Sequence, residues 1–396
     1  MTDRLYYKSA YMKEFDAEVT ACTEDKDRYL IRLDRTAFYP EGGGQPADNG
    51  KLFIKEDSCG SDTEVSEPID VFDVHEREGE IFHYCNKSIE PGTKVHGVID
   101  WDRRLDHMQQ HSGEHIVSGM ICEAFHCDNV GFHMGKDIVT IDYNADIGFE
   151  ELKTVEDRAN AYIREDHEFT EHWYKADELK DIEYRSKKEL TGDVRITSFP
   201  GADICACCGT HLARSGEVGL VKFLSAVSFS KGTRIELLCG KRAFDFLSMS
   251  HDRNAAIAKA MATSVDKTYD VYMKQRAELS EANYRSGELE KLYAAELAKQ
   301  YAGKDNVLIF NEVLSPNGIR ALCAMLADIC GGYAAVFGGK NGDYRYVFAA
   351  KDKDIRAEVK LLNTTLNGKG GGSQSFAQGF VKAERKEIQK FFEEKI

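Results

Sequence analysis

The chain has 396 residues, 42% of them hydrophobic and 30% charged, with a formal net charge of −15; it is long enough for two or three domains and is neither globally disordered nor a small stapled scaffold. The acidic balance excludes nonspecific nucleic-acid binding driven by overall charge, yet it is uneven, because residues 303–396 hold 14 Lys and Arg against 11 Asp and Glu and so carry +3, leaving −18 on the first 302. No basic segment leads into an apolar stretch at the start, no apolar run nears ~20 residues, and 11 cysteines without an export signal fit reduced thiols in a cytoplasmic protein with no membrane partner.

In chain order, residues 1–95 alternate short apolar runs, as at 29–33 and 69–74, with Gly, Asp and Pro punctuation, and predict a small β-barrel. Inside this stretch Gly42, Gly43 and Gly44 are followed by Gln45. Without Cβ atoms the backbone amides can approach a ligand closely, and the Gln45 amide can donate and accept, so these four are the candidate substrate-binding residues. The plainer reading is a glycine loop between strands.

Residues 96–249 mix strand-like runs at 98–99, 138–142 and 219–223 with helical ones at 103–127 and 149–165, an α+β pattern. Residues 250–302 lack Pro and are rich in Ala, Glu, Lys and Tyr, which predicts helix. Val265, Tyr272, Leu279 and Tyr293 keep a seven-residue spacing, interrupted at Ser286, and favour a coiled coil or helical hairpin. Residues 303–396 predict a separate α/β domain with a strand at 307–310, a helix at 319–329, strands at 333–337 and 344–350, and a charged terminal helix. The glycine cluster from Gly368 to Gly372 is not a phosphate loop, since Gly370 follows Lys369 where Ser or Thr is required.

Two ligand pairs stand out. His111 and His115 are four residues apart, so on a helix they share one face. Cys207 and His211 have the same spacing around Gly209 and Thr210, which suit a tight loop. One thiolate and three imidazoles fit tetrahedral Zn2+ better than oxygen-seeking Mg2+ or Ca2+. His107 shares the histidine stripe and could compete as a ligand, although a supporting or surface place is the preferred reading, and Cys205 and Cys208 flank Cys207, where spacing alone leaves them open as substitutes. The run from His111 to His115 also spells H-x-x-E-H, which in inverted zinc peptidases makes the glutamate, here Glu114, a general base. That reading leaves Cys207 and His211 without a task.

Together, the motif from Phe38 through Gln45, His111 with His115, the Cys207 to His211 run and the segment from Gly232 to Glu236 resemble the editing region of alanyl-tRNA synthetases. They look still more like the free-standing AlaX-type editing proteins. The tail from Leu366 to Gly379 is similar to the DHH-associated domain of the long form. With no aminoacylation domain ahead of the glycine motif, order and length imply the free-standing form. The resemblance implies a zinc-dependent deacylase that hydrolyses Ser-tRNA(Ala), and Gly-tRNA(Ala) as a second substrate, with one Zn2+ per chain on His111, His115, Cys207 and His211. The family's usual His-Thr-Ala-x-His is His-Ser-Gly-Glu-His here, which puts Glu114 beside the metal as the candidate catalytic proton acceptor, and Cys208 replaces a glycine.

The expected architecture is therefore α+β in four parts: a barrel at 1–95, a zinc-binding editing domain at 96–249, a helical segment at 250–302 and a DHH-associated domain at 303–396. Lys351, Lys353, Arg356, Lys360 and Lys369 are candidate tRNA contacts, and the helical segment or C-terminal domain is the expected site of any homodimer. The competing functions are a zinc metallopeptidase and a non-catalytic, zinc-stabilised tRNA-binding protein.

Overall fold

After β1 (Asp3–Arg4), Phe15, Ala17 and Val19 alternate with Glu14, Asp16 and Glu18, which commits β2 (Glu14–Asp25) to one buried face. Then come β3 (Arg28–Leu33), β4 (Arg35–Thr36), β5 (Gly50–Ile54), β6 (Ile69–Arg77), β7 (Glu80–Cys85) and β8 (Lys94–Ile99). β4 pairs in parallel with β1, and the other six close into a barrel in the order β2-β3-β7-β6-β5-β8 around Phe15, Val19, Ile31, Leu52, Val71, Ile81 and Val95. The computed structural model describes residues 2–55, 67–175, 177–186, 192–229 and 231–396. They fall into two units, 1–253 and 254–396.

The expected boundary at 95 falls inside β8. That strand buries Val95, Gly97 and Ile99 and pairs with both β2 and β5, so the run at 98–99 closes the barrel instead of opening the next region.

α1 (Trp101–Phe125) starts where Asp100 accepts from the Arg103 amide and stops at His126 in the left-handed region, φ 49°. It is buried on most sides, and Met108, Ile116, Val117, Met120 and Ile121 build the main core of the unit. Arg104 anchors its first turn. This residue is fully buried, donates from Nε to both Asp48 carboxylate oxygens at 3.0 Å, and reaches the Ala10 and Ala37 carbonyls with its other nitrogens.

β9 (Asn129–Met134), β10 (Val139–Tyr143), α2 (Phe149–Glu165), β11 (Thr170–Tyr174), β12 (Val194–Phe199), β13 (Asp203–Ala206), β14 (Val221–Phe229) and β15 (Gly232–Cys239) follow. They make two antiparallel sheets, β14-β15-β10-β9 and β11-β12-β13. Leu152, Val155 and Ile163 of α2 join Ile141, Phe223 and Leu237 in the core that also takes α1.

The segment at 250–302 is two helices, α3 (Gly240–Ala260) and α4 (Thr268–Lys299), and the 253/254 division falls within α3. Ala262, in the left-handed region at φ 52°, and a 3-10 turn at Val265–Lys267 separate them. Val265 is thus off the stripe it was expected to begin, while Tyr272, Leu279 and Tyr293 are 51%, 62% and 48% exposed. Apart from Thr268 at its start, α4 is buried only near its end, where Ala294 and Ala298 join Leu322 and Leu326.

β16 (Val307–Phe310), α5 (Pro316–Ile329), β17 (Ala334–Lys340), β18 (Asp343–Ala349), α6 (Arg356–Thr365), β19 (Gly368–Gly372), β20 (Phe376–Lys382) and α7 (Arg385–Lys395) complete the chain. Their sheet runs β16-β17-β18-β20-β19, parallel only between β16 and β17. The glycine cluster is its edge strand. The molecule is mixed α+β with seven helices and a six-stranded barrel among the described residues, and none of those helices is long and apolar enough to cross a membrane.

Candidate metal centre

α1 places His111 and His115 one turn apart on a face where their rings stack at 5.1 Å between centroids. The loop after β13 brings in Cys207 and His211. The four side chains offer one ligand atom each, all within 4.8 Å of one another. Cys207 Sγ lies 3.4 Å from His111 Nε2, close to the roughly 3.5 Å that two ligands of one tetrahedral zinc keep between them.

Each imidazole is turned by a partner on its other nitrogen. Gln45 Oε1, Asp203 Oδ2 and Glu171 Oε1 can only accept at these positions, so Nδ1 of His111, His115 and His211 donates to them in turn, each at 2.9 Å. That fixes the tautomer and leaves every Nε2 with a lone pair for an ion. Nε2 of His115 and of His211 is buried without a hydrogen-bond partner among the described residues. Orphaned buried acceptors of this kind are costly, and a bound cation would satisfy them. The donor chemistry fits zinc.

The acceptors are held in turn. Asp203 receives two bonds from Arg185, at 3.1 and 2.7 Å, and Glu171 pairs with Arg195 at 2.5 Å. Burial works against ionising either carboxylate, but the imidazole and guanidinium beside each hold it below the usual range. Arg195 also binds the carbonyls of Cys207 and Gly209, which fixes the loop. Burial likewise raises the Cys207 thiol, yet the three imidazoles lower it well below its ordinary value, and the Gly209 amide donates to its sulfur at 3.4 Å. A thiolate results, the form a metal takes.

Gly209 explains the middle of the loop. A Cβ there would lie 2.1 Å from His111 Cε1 and 2.9 Å from Gln45 Oε1, so no side chain fits between the loop and the ring. On α1, a Cβ at Gly113 would meet Cys239 Sγ at 2.3 Å. The departure at this position thus matches a bulky neighbour on β15.

The other predicted residues are placed differently from one another. Gly42 and Gln45 close a tight turn by paired backbone hydrogen bonds, and Gly43 and Gly44 take φ of 61° and 89° and are exposed. Gln45, expected to meet substrate, is fully buried, with Oε1 receiving the His111 ring and the Thr210 amide. It is a support for the His111 ring. Glu114 Oε1 accepts from Ser118 at 2.7 Å and from Asn129 at 2.6 Å, and Oε2 lies 4.0 Å from His115 Nδ1, the nitrogen facing Asp203. Its carboxylate sits behind His115. Cys208 is exposed, Cys205 lies with Asp203 near His115, and His107 is outside the cluster. Among the C-terminal cations, Arg356 pairs with Asp354 and Lys353 lies over Tyr333.

Asp203, Glu171, Arg185 and Arg195 escaped the sequence reading, as did Thr197. Its hydroxyl is buried without a partner among the described residues, on a strand position in register with Glu171 and Cys205.

Comparison with known proteins adds a further line. A family model described as tRNA synthetases class II (A) matches residues 4–103, and one described as the threonyl and alanyl tRNA synthetase second additional domain matches residues 194–236, which include Cys207 and His211. The alanyl-tRNA editing protein AlaX-L of Pyrococcus horikoshii is 30% identical across 98% of this chain and 96% of its own. The alanyl-tRNA editing protein Aarsd1 of Danio rerio is 23% identical over 94% of this chain and 92% of its own. The alanine–tRNA ligase of Methanobrevibacter smithii is 28% identical over 96% of this chain, which spans 44% of that protein's length.

Proposed function

We propose, from the premise that this chain belongs to the alanyl-tRNA editing proteins, that it hydrolyses the ester of tRNA(Ala) mischarged with serine, with the glycine ester as a second substrate, as a zinc-dependent deacylase. The observation that carries the chemistry is the convergence of three Nε2 atoms and a thiolate, each imidazole aimed by its own acceptor.

A pocket for alanine gains only about 10–200-fold against an added hydroxyl or a missing methyl, so a second, hydrolytic site is useful. Water adds to the ester carbonyl, the bond to the ribose oxygen breaks, and free amino acid and a tRNA hydroxyl result. His111, His115, Cys207 and His211 would hold zinc, which when bound supplies positive charge and Lewis acidity beside the ester. Exposed Gly43 and Gly44 present backbone without side chains to the terminal nucleotide. Gln45, Asp203 and Glu171 keep the rings in one tautomer through turnover. Glu114, already bonded to Ser118 and Asn129, takes a positioning part behind His115.

That placement, with the Cys207 and His211 pair, counts against the H-x-x-E-H peptidase, which needs its glutamate beside the attacking water. The deciding experiment incubates the purified protein with Ser-, Gly- and Ala-charged tRNA(Ala), with and without chelator. Chelator-sensitive loss of the Ser ester, with Ala-tRNA spared, is expected. Binding of all three without ester loss would leave only the zinc-stabilised tRNA-binding reading.

A further inference from the structure

One turn of α1 before His111, a cavity of about 540 Å3 opens among Pro46, Asp102, Arg103, His107, Lys136 and the Asp106–Arg242 pair. Arg242 and Asp106 neutralise each other through bonds of 2.6 to 3.0 Å. Arg103 gives only Nε, to the Ala47 carbonyl, and Lys136 is exposed with no ion pair among the described residues. With Asp102 counted, the wall keeps one net positive charge.

His107 is the unexpected member. It is 2% exposed, and its Nδ1 is buried with no partner among the described residues. Burial, with Arg103 and Arg242 nearby, pushes the imidazole down to about 3, so the ring is neutral and keeps one N–H to give. An orphaned polar atom in such a wall costs stability unless a ligand uses it.

Arg103, His107, His111 and His115 recur every four residues, a single stripe leading from the cavity to the metal position. Adjacent members are about one helical turn apart, ~5.4 Å. The terminal ribose of a charged tRNA likewise stands between its ester oxygen and its own 5′-phosphate. Pro46 follows directly on Gln45, so the cavity adjoins the glycine turn as well. The first turn of α1 adds its partial positive charge.

We propose that this cavity binds the phosphodiester joining the last two nucleotides of the tRNA, with Arg103 and Lys136 supplying charge and His107 a hydrogen bond. The assignment rests on the deacylase reading for its ligand but has its own readout. With the zinc-loaded full chain, binding of 5′-AMP, adenosine and inorganic phosphate is measured by calorimetry, and deacylation kinetics are measured for the parent, K136A and H107Q. AMP is expected to bind more tightly than adenosine or phosphate, a preference that K136A abolishes. Both variants should raise KM roughly tenfold, the loss of one charge-assisted or buried hydrogen bond, with kcat and zinc content kept.

Equal binding of AMP and adenosine, phosphate binding as tightly as AMP, or an unchanged KM in K136A, whose exposed side chain cannot disturb the fold, would each overturn it. If the parent fails to hydrolyse any ester, the deacylase reading falls, while the AMP preference still decides whether the cavity takes a nucleotide phosphate.

Discussion

Gly209→Ala tests the packing of the candidate metal centre directly. The new Cβ would stand 2.1 Å from His111 Cε1, 2.4 Å from Nδ1 and 2.9 Å from Gln45 Oε1. Ordinary carbon contacts need about 3.5 Å, so ring and loop must part by about 1.4 Å, against the ~0.2 Å tolerance of a metal–ligand distance. The ring has little room to retreat, because Phe132 stacks on it at 5.4 Å and His115 at 5.1 Å. It must turn, breaking the 2.9 Å bond to Gln45 and carrying Nε2 away from Cys207. Overpacking should cost the metal-free protein about 1–3 kcal/mol, and losing the orienting bond should weaken zinc about 10–100-fold. Competition with a chromophoric chelator reads the second quantity and urea unfolding without metal the first. Cys208→Gly, at an exposed neighbour, is the control and should change neither. Zinc affinity in G209A within twofold of the parent would refute the reasoning.

Glu114→Gln should keep zinc and stay within about fivefold of the parent kcat, since its carboxylate serves Ser118 and Asn129; a loss beyond a hundredfold with metal retained would give it back the role of base. Asp203→Asn and Glu171→Gln should each weaken zinc about 10–100-fold by releasing an imidazole, and unchanged affinity in the chelator competition would sink the relay from arginine through carboxylate to histidine. Gly113→Ala should destabilise by about 2 kcal/mol through Cys239, and part of that should return in the double variant with Cys239→Ala; strict additivity in the unfolding energies would show that the two do not touch. His83 is fully buried and burial pushes its imidazole down to about 4, below the ordinary 6.5. Its contribution is therefore complete above pH 6.5 and is lost as pH falls toward 4, where the unfolded chain takes a proton the folded one refuses, about 3 kcal/mol in all. Urea unfolding at pH 7 and pH 4 should show a smaller drop in H83Q; equal drops would remove the argument.

That His111, His115, Cys207 and His211 could meet was legible because a four-residue step means the same thing on any helix, and because cysteine and histidine around a Gly-Thr loop have few other uses. Their supports were not. Gln45, Asp203 and Glu171 lie 66, 88 and 40 residues from the rings they orient, and no local pattern marks a carboxylate that will meet an imidazole so far along the chain. Gln45 was noticed for the wrong partner, since an amide beside three glycines looks available until the fold buries it. Barrel, α2 and the C-terminal strands followed from alternation and length. The helical hairpin expected as one arrangement of 250–302 needs a break between two helices, and helix-forming composition hid only its place, although Thr263, Ser264 and Asp266 form a polar cluster of the kind that opens a new helix.

The Arg104–Asp48 bond bears on how this fold can be inherited. Cutting the chain between barrel and helix would strand a sealed carboxylate in one piece and a guanidinium in the other, and breaking a buried pair costs about 3–5 kcal/mol, a large share of any small domain's stability. The segment that carries the glycines and the helix that carries the imidazoles should therefore melt in a single step and travel through evolution as one inseparable block.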